Sequence, residues 1–262
     1  MKKRLKTVAR FLAYRVKARH FRGHGIHSPF AFDLVTNVFE EKNPYYIYKE
    51  VEEARVRLLD SRETIFVNDF GTGRSRRRRV ASIAAHSLKK RKYAQLLFRL
   101  VNAAKPVNII ELGTSLGITT AYLAAVNTAT PCYSLEGCSQ SLQIARRTLA
   151  VCGLNHVKLI EGNIDDTLPE LLEKLDCVGF VFFDANHTKE ATLNYFYQCL
   201  KKITQASVFV FDDIHHSKGM QEAWLEIKQQ PQVRVSFDLF SLGIVYFNSE
   251  LQKQDYFYRL RN

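Results

Sequence analysis

From Val107 onward, short apolar runs rich in β-branched and aromatic residues alternate with helical stretches, and that alternation limits the fold more than any other feature. The runs are VNIIEL (107–112), PCYSLE (131–136), VKLIE (157–161), VGFVFFD (178–184) and SVFVFDD (207–213). Helical patterns at 119–126, 139–151, 168–175, 191–203 and 219–229 follow them in turn. Strands this apolar have to be covered on both faces, so strand–helix alternation predicts a parallel, doubly wound α/β sheet. Two later runs, RVSFDLF (234–240) and GIVYFNS (243–249), lie about two residues apart and predict an antiparallel hairpin. The expected sheet therefore has seven strands, mostly parallel, with the hairpin at its C-terminal end.

The preceding residues differ in charge. The 262-residue chain carries a formal net charge of +12. Residues 1–92 hold 23 Lys and Arg against 9 Asp and Glu, whereas 93–262 hold 15 against 17. We therefore divide the chain into a basic, mainly helical extension (1–92) and an α/β domain (93–262). In the extension, Leu5, Val8, Leu12 and Val16 fall at helical spacing among cations, the pattern of a basic amphipathic helix. Further helices are expected around 32–39, 51–59 and 92–102, the last with Leu96, Leu97 and Leu100 facing inward. Residues 69–79, DFGTGRSRRRR, are expected to form an exposed loop. The odd count of five cysteines, with no CxxC pair, suits reduced thiols. No apolar run approaches the ~20 residues needed to cross a bilayer. A cytoplasmic location is the expectation.

In open α/β sheets, ligands bind beyond the carboxyl ends of the strands. The first strand ends in Glu111-Leu-Gly113-Thr114-Ser115-Leu-Gly117. Gly113 would permit a tight turn with close backbone approach, and Gly117 would let the next helix start against a ligand. The G-x-x-x-G spacing is not the G-x-G-x-x-G of dinucleotide sites. Glu111 would repel phosphate but suit an ammonium group. Glu136, ending the second strand, can accept both hydroxyls of a ribose. Taken singly, each feature also fits a plain strand-to-helix turn.

The sequence E-L-G-T-S-L-G, followed by a strand ending in Glu, resembles motif I and the acidic ribose clamp of the class I S-adenosylmethionine-dependent methyltransferases, a Rossmann-like family. The terminal hairpin resembles that family's last two strands. The resemblance implies S-adenosylmethionine as cofactor, with Glu111, Gly113, Thr114, Ser115 and Gly117 around its methionine part. It implies Glu136 on the ribose and Asn163 near the adenine, where the family often has Asp.

The fourth strand runs into FFDANHTKE and the fifth into FDDIHHSKG, so Asp184, Asp212 and Asp213 all sit at carboxyl ends of strands. Crowded carboxylates repel one another unless a cation intervenes, and hard oxygen donors suit Mg²⁺ or Ca²⁺. The arrangement resembles the metal-dependent, catechol-type small-molecule O-methyltransferases and related methyltransferases with a D-x-x-H signature, which Asp184-Ala-Asn-His187 fits. The resemblance implies Mg²⁺ on Asp184, Asp212 and Asp213. His187 occupies the place of that family's proton-accepting lysine. A histidine is a competent base near neutral pH. As alternatives, the aspartates can cap helices and His187 can bond structurally. His215 and His216 fit either a ligand role or a solvated loop.

The function this implies is methyl transfer to oxygen on a small aromatic or diol-like substrate. The second reading is a methyltransferase acting on RNA, or on a phosphate-bearing substrate, gripped by the basic extension. Residues 1–92 could also touch an anionic membrane or serve as a lid in which Tyr45 and Tyr46 flank an aromatic substrate. A homodimer is left open, and so is a non-catalytic protein that keeps the cofactor pocket.

Overall fold

The computed structural model describes residues 10–260 except 12, 13, 17, 19, 21, 22 and 69–74. Leu5, Val8 and Leu12 of the expected N-terminal helix lie outside the described residues, as do residues 69–74 of the glycine–arginine segment. The labelled elements start with α1 (Pro29–Leu34), which continues as a π-helical turn over Val35–Phe39. There follow α2 (Tyr46–Leu59), β1 (Thr64–Val67), β2 (Arg76–Arg79), α3 (Val80–His86) and α4 (Arg91–Ala104). The alternating part comprises β3 (Ile109–Leu112), α5 (Ile118–Ala124), β4 (Cys132–Glu136), α6 (Ser139–Val151), β5 (Lys158–Glu161) and α7 (Ile164–Glu173). It continues with β6 (Val178–Phe183), α8 (Lys189–Leu200), β7 (Ile203–Asp212) and α9 (Lys218–Gln229). The end is β8 (Val235–Asp238), β9 (Leu242–Tyr246) and β10 (Gln254–Phe257).

The strand order of the main sheet is β10-β8-β9-β7-β6-β3-β4-β5. Pairings β3–β4 and β4–β5 are parallel, while β9 is antiparallel to both β7 and β8. This is the expected mostly parallel α/β sheet with a C-terminal antiparallel hairpin. The count of seven strands is corrected to eight, because β10 adds in parallel to β8 at the edge. Its sequence, QDYF, follows the polar stretch NSELQK. Four residues beside so polar a stretch show too little alternation to stand out as a strand.

Two compact units are distinguished, residues 43–181 and the remainder on either side of them. In the 43–181 unit, the side chains of β3 are fully buried, as expected for a strand covered on both faces. Helix α2 buries Ile47, Tyr48, Val51, Ala54 and Leu58, positions that repeat along one helical face. Tyr48 meets Phe98 of α4 and Tyr122 of α5 at ring-centroid distances of 5.3 and 5.6 Å. Leu96, Leu97 and Leu100 of α4 are buried, as their spacing predicts, each contributing about 1.5–3 kcal/mol. The amide of Asn108 fixes β3 to β6, accepting from Gly179 N at 2.9 Å and donating to Cys177 O at 2.8 Å. A Cβ at Gly179 would come within 2.9 Å of the main chain at Val107 and Asn108, so no larger residue fits there.

Residues 76–79 correct the loop expectation. Arg76–Arg79 form β2, paired antiparallel with β1 in the register Phe66↔Arg77. Main-chain hydrogen bonds make this pair, and a run of four cations gives no apolar period to read.

In the other unit, Ser28 caps α1 by accepting from Ala31 N, with Pro29 in the first turn. Residues Tyr14–Val16 are helical, but Val16 is exposed and Tyr14 turns inward instead. The Tyr14 hydroxyl lies between the carbonyl oxygens of Asp238 and Tyr258. A large aromatic with a polar tip can be buried because that tip finds acceptors. Gly243 of β9 sits under the Trp224 ring, which a Cβ would approach to 2.7 Å. Among the described residues, no helix is long and apolar enough to cross a membrane.

Candidate active site

The chain leaves β3 through a loop in which Gly113, Ser115 and Gly117 take positive φ values of 100°, 51° and 83°. Gly117 is irreplaceable on two counts. Its φ disfavours a side chain, and a Cβ would stand 3.0 Å from the main chain of Ala145 in α6. Ser115 tolerates the left-handed region because its N–H donates to Glu136 Oε2 at 2.8 Å. The second carboxylate oxygen, Oε1, accepts from Cys138 N at 2.9 Å. Two main-chain donors thus orient the Glu136 carboxylate at the end of β4, beside the glycine loop.

Glu111 is completely buried in β3. Its Oε2 accepts from Thr120 at 2.5 Å and from Ser134 at 2.6 Å, and Thr114 shares a hydroxyl contact with Ser134 at 2.6 Å. Its Oε1 has no hydrogen-bond partner. Burial raises the carboxyl to about 7; the Ser134 and Thr120 hydrogen bonds oppose that rise, and the Glu136 charge adds to it. Asn163 caps α7, accepting from Asp165 N at 3.2 Å. Its amide is thereby committed to the helix end. The loop, Glu111, Glu136 and Asn163 all belong to the 43–181 unit.

A second group of functional side chains lies within the unit that includes residues 182 onward. Ligand atoms of Asp184, His187 and Asp212 lie within 4.8 Å of one another. Asp184 follows β6 and Asp212 ends β7. Asn186, at φ 48°, turns the chain so that His187 comes back toward Asp184, its Nε2 3.6 Å from Oδ1. That separation is too long for a sound hydrogen bond. Asp212 is buried. Asp213 takes φ 53° and is not in this group; its carboxylate lies 3.8 Å from His216 Nδ1 at the surface. Two hard carboxylates and one imidazole form a donor set that fits a divalent cation.

His215 is placed differently from either role the sequence suggested. Its Nε2 meets Asp238 Oδ2 at 2.8 Å, its Nδ1 meets Gln221 at 3.1 Å, and its ring stacks on Phe240 at 5.1 Å. The same Asp238 oxygen accepts from Trp224 Nε1 at 3.3 Å. The segment after Asp212 is thereby tied to β8. Asp238 gave no sign of this in the sequence, where it reads as the polar member of a hairpin strand. Of the two tyrosines, Tyr45 packs on Phe98 at 4.7 Å and Tyr46 is exposed.

Residues 110–214, which span both the glycine loop and the carboxylate pair, match the family described as a methyltransferase domain. Over those residues the chain resembles that family. An O-methyltransferase of Aspergillus flavus, imqG, is 29% identical over 124 residues, or 45% of this chain. The chain spans about half the length of that curated relative, 49%. Solved structures with a similar fold include the SAH-bound methyltransferase PaMTH1 of Podospora anserina, at 15% identity and TM-score 0.59. That match covers 84% of this chain and 96% of PaMTH1. The O-methyltransferase of Bacillus cereus in complex with SAH matches at 20% identity and TM-score 0.56, covering 82% and 96%. TomG of Streptomyces achromogenes, in complex with SAM, matches at 15% and 0.58, covering 84% and 95%. These structures share the mostly parallel α/β fold that the strand–helix alternation and the terminal hairpin led us to expect.

Proposed function

We propose that this protein transfers a methyl group from S-adenosylmethionine to a hydroxyl of a small aromatic or diol-like substrate, assisted by a divalent cation such as Mg²⁺. The observation that carries this reading is the convergence of Asp184, His187 and Asp212 in a chain that also has an oriented Glu136 beside a glycine loop. The names of the O-methyltransferases that it resembles support the choice of oxygen as acceptor.

When bound, S-adenosylmethionine supplies an electrophilic methyl group, and a divalent cation supplies positive charge that favours an oxyanion. The chain's own residues do the rest. The Gly113–Gly117 main chain and Thr114 shape the methionine end of the cofactor site, with Glu111 set against its ammonium group. Glu136 accepts the ribose hydroxyls, and Asn163 keeps its proposed place near the adenine while capping α7. Asp184 and Asp212 hold the cation. The metal role implied for Asp213 is dropped, since its own carboxylate turns to His216, and His187 stands beside the carboxylate pair as the base. His187 takes the proton of the acceptor hydroxyl at an imidazole nitrogen, and its one-third exposure gives that proton a route to solvent.

The test is turnover of methyl-labelled S-adenosylmethionine with a panel of catechols and aliphatic vicinal diols. Label is expected to reach at least one diol, to stop with EDTA and to return with Mg²⁺. Transfer that is indifferent to EDTA would contradict the metal, and transfer to nitrogen or carbon acceptors alone would contradict the choice of oxygen.

A further inference from the structure

The run of arginines acquires a partner in the fold that it lacks in the sequence. In the β1–β2 ribbon, Phe66 lies opposite Arg77 and Thr64 opposite Arg79. Residues directly opposite in a ladder share a face, as do residues two apart along a strand. Phe66, Arg77 and Arg79 therefore form one face, all exposed, with Phe66 at 45%. Arg76 is exposed on the reverse face and Arg78 is half-buried. Phe66 is held by its main chain, its N–H donating to Gln140 Oε1 at 2.5 Å and its carbonyl accepting from Cys138 Sγ at 3.4 Å. The ring is thus presented on an anchored strand without being packed into the core.

The carboxylate next to the ribbon, Glu63, is engaged by Arg147 at 2.8 Å. Among the described residues, Arg76, Arg77 and Arg79 have no carboxylate partner. Guanidinium groups form planar forks that suit phosphate, and alternate residues of a strand repeat at roughly 7 Å. An exposed aromatic set among cations is a stacking platform of the kind that single-stranded nucleic acids use. A bilayer would need a wider apolar face than one phenylalanine beside a threonine.

We propose that the β1–β2 ribbon binds single-stranded nucleic acid, with Arg77 and Arg79 on phosphates and Phe66 stacked on a base. This surface is separate from the methyl-transfer reading and does not depend on it.

The test is fluorescence anisotropy of the full chain with labelled oligouridylate and oligothymidylate at 50, 100 and 200 mM salt, without S-adenosylmethionine. Binding that weakens with salt is expected on at least one of the two. F66A is expected to weaken it about tenfold with an unchanged salt slope. The double variant R77Q/R79Q is expected to lower the slope by about 1.4, at ~0.7 per phosphate for single strands. The matching Arg→Lys double variant should keep the slope, separating lost charge from lost folding. The proposal is overturned by no binding at 50 mM salt, or by an unchanged slope in the Gln double variant. It is also overturned if F66A has no effect while a duplex binds equally well, or if anionic vesicles are bound through these residues and neither oligonucleotide is. Aggregation of the Gln double variant with no oligonucleotide binding by the parent chain would assign the arginines to edge protection instead.

Discussion

Replacing Asp212 by Asn is expected to lower methyl transfer by about two to three orders of magnitude, the loss of roughly 3–4 kcal/mol of transition-state stabilisation. The side chain is buried at the end of β7 with ligand atoms of Asp184 and His187 within 4.8 Å. Asn keeps the shape and removes the charge, so cation affinity should fall while cofactor affinity stays within about twofold. A titration with Mn²⁺, following the free-ion electron paramagnetic resonance signal, reads the first without reference to any acceptor. Asp184→Asn should behave alike. Asp213→Asn should change cation affinity little, because that carboxylate faces His216 at the surface. Full activity and unaltered Mn²⁺ binding in Asp212→Asn would rule out the metal cluster.

The second large effect has opposite signs in two measurements. Glu111 is buried with its carboxyl raised to about 7 from 4.5, burial being the main cause. The folded chain therefore holds this proton more tightly than the unfolded chain does. Stability should fall as pH rises from about 4.5 to 7 and then level off, a loss of about 3 kcal/mol across that window. Glu111→Gln removes the penalty. The variant should match the parent at pH 4.5 and exceed it by about 3 kcal/mol at pH 8, raising the apparent Tm by roughly 6–12 °C. Cofactor affinity should move the other way, because the amide cannot offer a negative charge to an ammonium group. Thermal scans at both pH values check the first half and calorimetry checks the second. A variant less stable than the parent at pH 8 would contradict this account of Glu111.

How much of this was legible beforehand follows from what each element is made of. Strands β3, β6 and β7 are apolar runs with one obligatory environment, so IIEL and VGFVFF fix both their type and the fold class. The glycine loop was legible because Gly117 has no alternative, with positive φ and Ala145 3.0 Å from where a Cβ would stand. β2 was not, since RRRR pairs through main-chain atoms that carry no side-chain signature. β10 failed for a similar reason, being four residues at an edge. Within the site, Asp184 and His187 were legible as a D-x-x-H spacing, whereas the divergence of Asp212 and Asp213 depends on φ 53° at Asp213. No residue-type rule gives that angle to an aspartate. The His215–Asp238 pair is separated by 23 residues and exists only after β8 has returned to the sheet.

The central claim is that the glycine loop and Glu136 form an S-adenosylmethionine site. Titration calorimetry with S-adenosylhomocysteine, using the full chain and Glu136→Ala side by side, tests it most directly. The account predicts one site per chain near micromolar affinity, about −8 kcal/mol, weakened at least tenfold in the variant. No heat of binding in the parent chain, or the same isotherm in both proteins, would contradict it.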